Sequence, residues 1–148
     1  MIRKKLTFRL ERDEDGYPPV DYERVWIETI DEGSGIIDNI PFFCRDVSLG
    51  DTVKFQLIGN EIWYVATIRR SGNSLIRVLY YDTDPSSIRN LIEDLGCETE
   101  LDTTHKLLAV SVPPGELSQV QAFLAAKEAE GVLGYEEAIL VDVAPSEG

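Results

Sequence analysis

The hydrophobic pattern of this chain changes near residues 71–73, and no other feature of the sequence constrains its fold as much. Before that point apolar side chains recur at every second position, as in Leu6, Phe8 and Leu10, which is the spacing of a strand with one buried face. After it, two stretches place apolar residues three and four positions apart, the spacing of an amphipathic helix. The sequence therefore predicts two regions of different construction.

Residues 1–72 are predicted to form a small antiparallel β-barrel-like subdomain. The strand pattern is found at residues 6–10, 25–30, from 36 onward, 52–57 and 62–68. Residues 12–19 form an acidic loop that ends in Pro18-Pro19, and two successive prolines cannot donate to a strand ladder. Gly59-Asn60 has the spacing of a two-residue hairpin turn. Short strands with tight turns and no helix favour a small barrel.

Residues 73–143 are predicted to form a ferredoxin-like subdomain, because their elements follow the order strand, helix, strand, strand, helix, strand. Asp84 and Pro85 are typical of a helix start, and Gly96 of a helix end. A second helix is indicated at residues 116–130, and a last strand at residues 135–143. The expected fold class is α+β, with the barrel-like part packed on the ferredoxin-like part. Residues 144–148 are expected to form a frayed tail.

The chain is strongly acidic, with a net charge of −13. Residues 1–72 contain 10 Lys and Arg and 13 Asp and Glu, whereas residues 73–148 contain 4 and 14. Nucleic acids and anionic membranes are poor partners for such a chain. A basic protein is the complementary partner, because opposite charges speed association and reject wrong partners. The alternative is that the acidity only keeps the protein soluble.

The sequence is typical of a cytoplasmic protein that is monomeric when free. Its basic opening is followed by alternating rather than continuous apolar residues, so no signal peptide is predicted. No run approaches the roughly 18 apolar residues of a membrane helix. The two cysteines, Cys44 and Cys97, form no disulfide framework and are expected to be reduced.

No catalytic centre, cofactor or metal site is predicted. His105 is the single histidine, and its position in a turn favours a solvent-exposed turn residue rather than a catalytic base. Cys44 is expected to pack as a small hydrophobe, and Cys97 to be unreactive because it follows the negative end of a helix. The calcium-loop pattern at Asp13-Glu14-Asp15-Gly16 is incomplete. The adjacent Glu136 and Glu137 should point to opposite faces of a strand.

Two acidic surfaces remain as candidate partner-binding sites. The first is an acidic loop with an aromatic tip, formed by Asp13, Glu14, Asp15 and Tyr17. The second is an acidic cluster in the second half, formed by Asp82, Asp84, Glu98, Glu100 and Asp102. The structural alternative for both is a solvated loop, or carboxylates that keep an edge strand from aggregating.

Several segments resemble DUF4265, a bacterial family of unknown function. The most specific are Gly16-Tyr17-Pro18-Pro19 and Asn39-Ile40-Pro41-Phe42-Phe43. Further similar stretches are residues 14–21, 38–43, 50–51, 96–97, 108–110, 128–131 and 135–137. The resemblance extends from about Leu6 to Leu140 and implies no particular activity.

Three functions are compatible with these observations. The first is an immunity protein that neutralises a cognate bacterial toxin by blocking its basic active-site cleft. The second is a small-molecule sensor or regulatory domain with its ligand between the two halves. An enzyme that relies on carboxylates and tyrosines ranks last, because no base with a partner can be named.

Overall fold

The computed structural model describes residues 2–141, and the predicted tail at 144–148 lies outside them. The described residues form a mixed α+β protein with nine strands in two sheets and two helices. The chain divides into two compact units, with the break between Ser71 and Gly72. The elements are β1 (Arg3–Arg9), β2 (Tyr22–Thr29), β3 (Ser34–Ile37), β4 (Thr52–Ile58), β5 (Glu61–Arg69), β6 (Ser74–Tyr80), α1 (Pro85–Asp94), β7 (Glu98–Asp102), β8 (Leu107–Val112), α2 (Leu117–Ala129) and β9 (Leu133–Ile139).

Strands β1 to β5 form a closed barrel in chain order. Successive strands are antiparallel, but the barrel closes through a short parallel contact between β1 and β5, at Leu6–Ile62 and Thr7–Trp63. This closure departs from the antiparallel barrel that the sequence predicts. Sheet curvature rather than a hairpin brings β1 and β5 together. The alternation of apolar residues within each strand therefore does not predict this parallel pairing.

The barrel core explains the alternation of β1. Leu6 and Phe8 are buried, and Leu10 packs against the same core. The other buried residues of this core are Val25, Ile27, Ile37, Cys44, Val47, Val53, Phe55 and Ile62. Leu57 continues the alternation of β4 but is 66% exposed. It lies beside the Gly59-Asn60 turn, where Gly59 has φ +63°.

The second sheet has the strand order β7-β8-β6-β9, and all neighbouring strands are antiparallel. The predicted succession of strands and helices is confirmed. One face of this sheet and both helices share a single core. Its buried residues are Ile76, Val78, Tyr80, Ile88, Ile92, Cys97, Leu108, Val110, Val112, Val120, Leu124 and Leu133.

Helix α1 begins and ends where the sequence indicates. The Asp84 carboxylate accepts a hydrogen bond from the Ser86 N–H at 3.0 Å, and Pro85 occupies the first helical turn. Gly96, with φ +95°, follows the helix because a left-handed residue there costs glycine little. The sequence places Ile88, Leu91 and Ile92 on one apolar stripe of this helix. Ile88 and Ile92 are buried but Leu91 is 45% exposed, so only one side of the stripe faces the core.

Several strand boundaries differ from the sequence prediction. Strands β1 and β2 begin at Arg3 and Tyr22, earlier than the predicted residues 6 and 25. Ile36-Ile37 ends β3 instead of beginning a strand, because the pairing with β2 stops at Ile27–Ile37. Strand β9 covers Leu133–Ile139 instead of 135–143, since its ladder with β6 begins at Leu133–Tyr80 and ends at Ile139–Leu75. Positions 142 and 143 of the predicted strand lie outside the described residues.

Candidate functional site

The acidic loop between β1 and β2 is organised by one of its own carboxylates. Asp13 Oδ1 accepts hydrogen bonds from the N–H groups of Asp15, at 2.9 Å, and Tyr17, at 3.0 Å. The Asp13 N–H in turn donates to the Tyr17 carbonyl at 2.7 Å. Side-chain capping of this kind is typical of aspartate in turns. Asp13 therefore shapes the loop, while Glu14 and Asp15 are exposed.

The aromatic tip of the loop contacts a second loop of the same unit. The Tyr17 ring meets Phe43 edge-on, with centroids 6.2 Å apart and an interplanar angle of 69°. Pro18, which follows through a cis peptide bond, is buried. The contact joins the two segments that most resemble the DUF4265 family, which are separated by about 25 residues in the chain.

A pocket of about 670 Å³ opens between these two loops. We call it the loop pocket. Its lining is Arg9, Leu10, Glu11, Asp13, Tyr17, Pro18, Phe43, Arg45 and Asp46. It combines an aromatic and apolar floor with charges of both signs, and its volume is in the range of small-molecule sites.

The second loop is held in place by Glu23 of β2. This carboxylate accepts hydrogen bonds from three consecutive N–H groups, those of Phe42 at 2.6 Å, Phe43 at 3.1 Å and Cys44 at 2.7 Å. Successive N–H groups that converge in this way form an anion-binding concavity, and here an internal carboxylate fills it. Sequence reasoning missed Glu23, since nothing local marks a strand glutamate as a loop anchor.

Asp51 anchors the C-terminal side of the same loop. Its side chain is fully buried and accepts hydrogen bonds from Ser48 N–H at 3.0 Å, Ser71 N–H at 2.8 Å and Arg70 at 2.9 Å. A buried carboxylate needs such partners, because burial without them is costly. The sequence marks Asp51 only as a turn residue after Gly50.

The clearest acidic surface of the second unit lies on β7. Glu98, Glu100 and Asp102 alternate along this strand, so they point to the same face. Thr99 is buried, and Leu101 packs against the core that includes the helices. In the described part of the chain β7 pairs with β8 alone and is therefore a sheet edge. We call these three residues the acidic strip.

One end of the acidic strip is tied into the turn between β7 and β8. Asp102 Oδ1 accepts from the N–H groups of Thr104 and His105, and its Oδ2 lies 2.7 Å from His105 Nδ1. Burial opposes ionisation of Asp102, but the hydrogen bonds and charge of His105 outweigh it and lower its pKa. His105 is partly buried and paired, rather than the solvent-exposed turn residue that the sequence suggests.

Asp82 and Asp84 lie in the loop between β6 and α1. Asp84 is the N-cap of α1, whereas Asp82 is exposed. The ladders align Leu79 of β6 with Leu107, and Leu107 with Asp102. Asp82 therefore follows β6 at the same end of the sheet as Asp102. The second predicted cluster consists of a strip along one edge strand and a loop at one end of its sheet.

The other reactive groups take structural positions. Burial, with a contribution from Glu116, raises the pKa of the Cys97 thiol to about 11. A raised thiol pKa agrees with the unreactive Cys97 that the sequence predicts, although its main cause is burial rather than the end of the helix. Cys44 is also buried. Glu136 lies 3.3 Å from Arg77, while Glu137 accepts from Gln121 of α2, so the two neighbours point to opposite faces as predicted.

Residues 2–141 contain no cluster of three or more His, Cys, Asp or Glu side chains arranged to hold a metal ion. None of the helices within that range is long and apolar enough to cross a membrane.

Comparison with solved structures supports the fold. A crystal structure of a hypothetical protein from Neisseria gonorrhoeae is similar to this chain, with a TM-score of 0.81 and 24% sequence identity. The match covers 95% of this chain and 97% of that protein. No curated protein matches.

The sequence profile described as a domain of unknown function, DUF4265, matches residues 23–135. Of the two most specific segments noted in the sequence, residues 39–43 lie inside this match and residues 16–19 precede it. The match covers more than half of the 148 residues, and the chain therefore belongs to the DUF4265 family.

Proposed function

We propose that this chain is an acidic protein-binding module, and specifically an immunity protein that neutralises a cognate bacterial toxin. The observation that carries the proposal is the acidic strip, where Glu98, Glu100 and Asp102 line one face of an edge strand. The proposed partner is a basic protein, with no role for nucleic acid or a membrane. The chain acts in the cytoplasm and is monomeric until it binds.

The geometry of β7 suggests how such a partner is held. An edge strand presents backbone N–H and C=O groups that can pair with an extended segment of another protein. The carboxylates of the acidic strip would attract lysine and arginine side chains flanking that segment, raising the association rate and excluding acidic partners. The mechanism is steric, because an occupied basic cleft cannot reach its substrate.

The acidic loop offers a second contact in this proposal. Glu14 and Asp15 are exposed, and Tyr17 is 37% exposed. Its edge-on contact with Phe43 limits the motion of its ring. Tyrosine with restricted motion is a common anchor in protein interfaces. Asp13 contributes by shaping the loop rather than by direct contact.

The product of the adjacent gene is the probe for this function. The two proteins are co-expressed, and we expect them to co-purify and the cells to survive a dose of the neighbouring protein that otherwise stops growth. Failure of either co-purification or protection contradicts the immunity role. A complex that forms but leaves toxicity unchanged supports a binding module and rejects neutralisation.

We also propose that the second unit is a ferredoxin-like domain. The element order strand, helix, strand, strand, helix, strand supports this. The sheet order β7-β8-β6-β9 also supports it, because each helix connects strands that are separated by one other strand.

A small-molecule sensor is the second candidate function. It is supported by the loop pocket, whose volume of about 670 Å³ and mixture of aromatic and charged lining suit an organic ligand. Ligands that bind only the folded state raise its melting temperature. A thermal-shift screen of metabolites in which none raises the melting temperature would argue against this function.

A further inference from the structure

A groove on the surface of the barrel concentrates positive charge in a chain whose net charge is −13. Its volume is about 480 Å³, and it is lined by β1, β2 and the β4–β5 hairpin. We call it the basic groove. Its charged lining residues are four cations and one anion: Arg3, Lys4, Lys5, Arg24 and Glu61.

Strand register places Lys5 on the face of β1 that carries Trp26, while its neighbour Lys4 leaves the strand on the opposite side, so the groove takes cations from both sides of β1. Lys5 pairs with Trp26 across the β1–β2 ladder, and Thr7 pairs with Arg24. On the other side of β1, β5 begins only at Glu61, and its parallel ladder starts at the Leu6–Ile62 pair. Residues 3–5 thus run beside the hairpin turn instead of a full-length strand, and the groove opens there.

The cations of the groove differ in how far they are already neutralised. Arg3 pairs with Asp38 at 2.9 Å, and Arg24 pairs with Glu61. Lys4 and Lys5 form no ion pair with any residue of the described range 2–141. The Lys5 ammonium lies 5.0 Å from the Trp26 ring centroid, and the Arg3 guanidinium 4.4 Å. Two ammonium groups are therefore left for an external anion.

The uncharged lining of the groove consists of two polar residues, Thr7 and Asn60, and an apolar wall. Trp26, Leu57 and Ile62 form this wall, and Leu57 is 66% exposed. A volume of this size accommodates a small organic molecule. An anionic polymer would extend beyond the groove and be repelled by a chain whose net charge is −13, a repulsion that acts across roughly 8 Å at physiological salt. The charge distribution therefore favours a compact ligand.

We propose that the basic groove binds a small organic anion with at least two negative charges. The ammonium groups of Lys4 and Lys5 contact the charged groups, and the wall formed by Trp26, Leu57 and Ile62 contacts the carbon skeleton. Phosphate esters and polycarboxylates share this chemistry. The proposal is independent of the immunity role, because none of the residues of the groove belongs to the acidic strip or the acidic loop.

Calorimetric titration at low salt with citrate, ADP and inorganic pyrophosphate tests the proposal. We expect citrate or ADP to bind. Tighter binding of citrate identifies a polycarboxylate as the ligand, and tighter binding of ADP identifies a phosphate ester. Pyrophosphate should bind more weakly, because it cannot use the apolar wall. Each affinity should fall as salt is added, since the contacts are charged.

Two double variants locate the site. Lys4→Gln/Lys5→Gln should weaken binding by about tenfold. The matched control Lys54→Gln/Arg69→Gln removes two exposed positive charges from the same barrel outside the groove, and should leave the affinity within about twofold. Circular dichroism verifies that both variants are folded. Equal weakening in both variants, or no binding of citrate and ADP at about 5 mM, overturns the proposal; so does pyrophosphate binding as tightly as the organic anions.

Discussion

Carboxylates that look alike in the sequence have different tasks in the fold. Glu23 accepts hydrogen bonds from residues 19 to 21 positions away, whereas Asp84 accepts from a residue two positions away. The local bond could be predicted, because a helix start follows from nearby residues. The long-range bonds could not, because they depend on which loop the barrel brings to β2.

Cys97 gives the first prediction at the residue scale. A thiol with a pKa of about 11, against an ordinary value of 9.0, has about 100-fold less thiolate at pH 8, and only the thiolate reacts. Ellman's reagent should therefore modify Cys97 in the native protein at least about 100-fold more slowly than in the urea-unfolded protein. Mass spectrometry identifies the modified cysteine. Equal rates in the two states would refute the assigned burial.

Asp102 gives a second prediction, on pH dependence. Its pKa is lowered in the folded protein, so its ionised form stabilises the fold above the unfolded-state pKa, and this stabilisation is lost as pH falls through the folded pKa. Asp102→Asn should lower the free energy of unfolding by about 1 kcal/mol at pH 7. The difference from wild type should shrink below about pH 4. Urea titrations at several pH values measure it, and a difference that is constant with pH contradicts the pairing with His105.

At the scale of elements, periodicity predicted every helix and strand, but not each boundary or each exposed position. Leu57 and Leu91 continue apolar patterns and are nevertheless exposed. A pattern identifies the face of an element that is buried, but it does not show where along its length the covering neighbours end. The end of a hairpin and the side of a short helix are therefore the places where prediction fails.

The β2–β3 pairing gives a prediction at this scale. A methyl group on Gly35 would lie 2.9 Å from the Glu28 carbonyl oxygen and 2.9 Å from the Ile27 Cδ1 atom. Because the carbonyl belongs to the strand backbone, Gly35→Ala should lower the free energy of unfolding by about 2 kcal/mol. Gly33→Ala is the control, since its methyl group would meet nothing within 4 Å. Chemical denaturation compares the two, and equal stabilities would contradict the close approach of β3 to β2.

At the scale of the whole molecule, net charge concealed the distribution of charge. The value of −13 pointed to a basic partner, and the fold gathers part of that acidity into the acidic strip. The same value gave no indication of the basic groove, whose cations come from the two strands β1 and β2. Summed charge predicts the sign of the long-range field. Local sites of opposite sign depend on strand register, which the sequence alone did not supply.

The candidate site was predicted in part. Alternation alone indicates that Glu98, Glu100 and Asp102 share a face, because they lie two residues apart on one strand. The contact between Tyr17 and Phe43 could not be predicted from the sequence, because it depends on how the barrel positions two separate loops. The hydrogen bonds of Glu23 could not be predicted for the same reason.

The most direct test of the central proposal is the affinity of this chain for the product of the adjacent gene when the acidic strip is reversed in charge. Glu98→Lys/Glu100→Lys should weaken binding by at least about 100-fold. Association should be slower and dissociation faster, because like charges would then face each other. Glu128→Lys/Glu130→Lys changes the net charge equally at exposed positions of α2 and its C-terminal cap, and should weaken binding by less than about fivefold. Surface plasmon resonance measures both. Equal weakening by the two variants, or full affinity in the strip variant, would contradict recognition through β7.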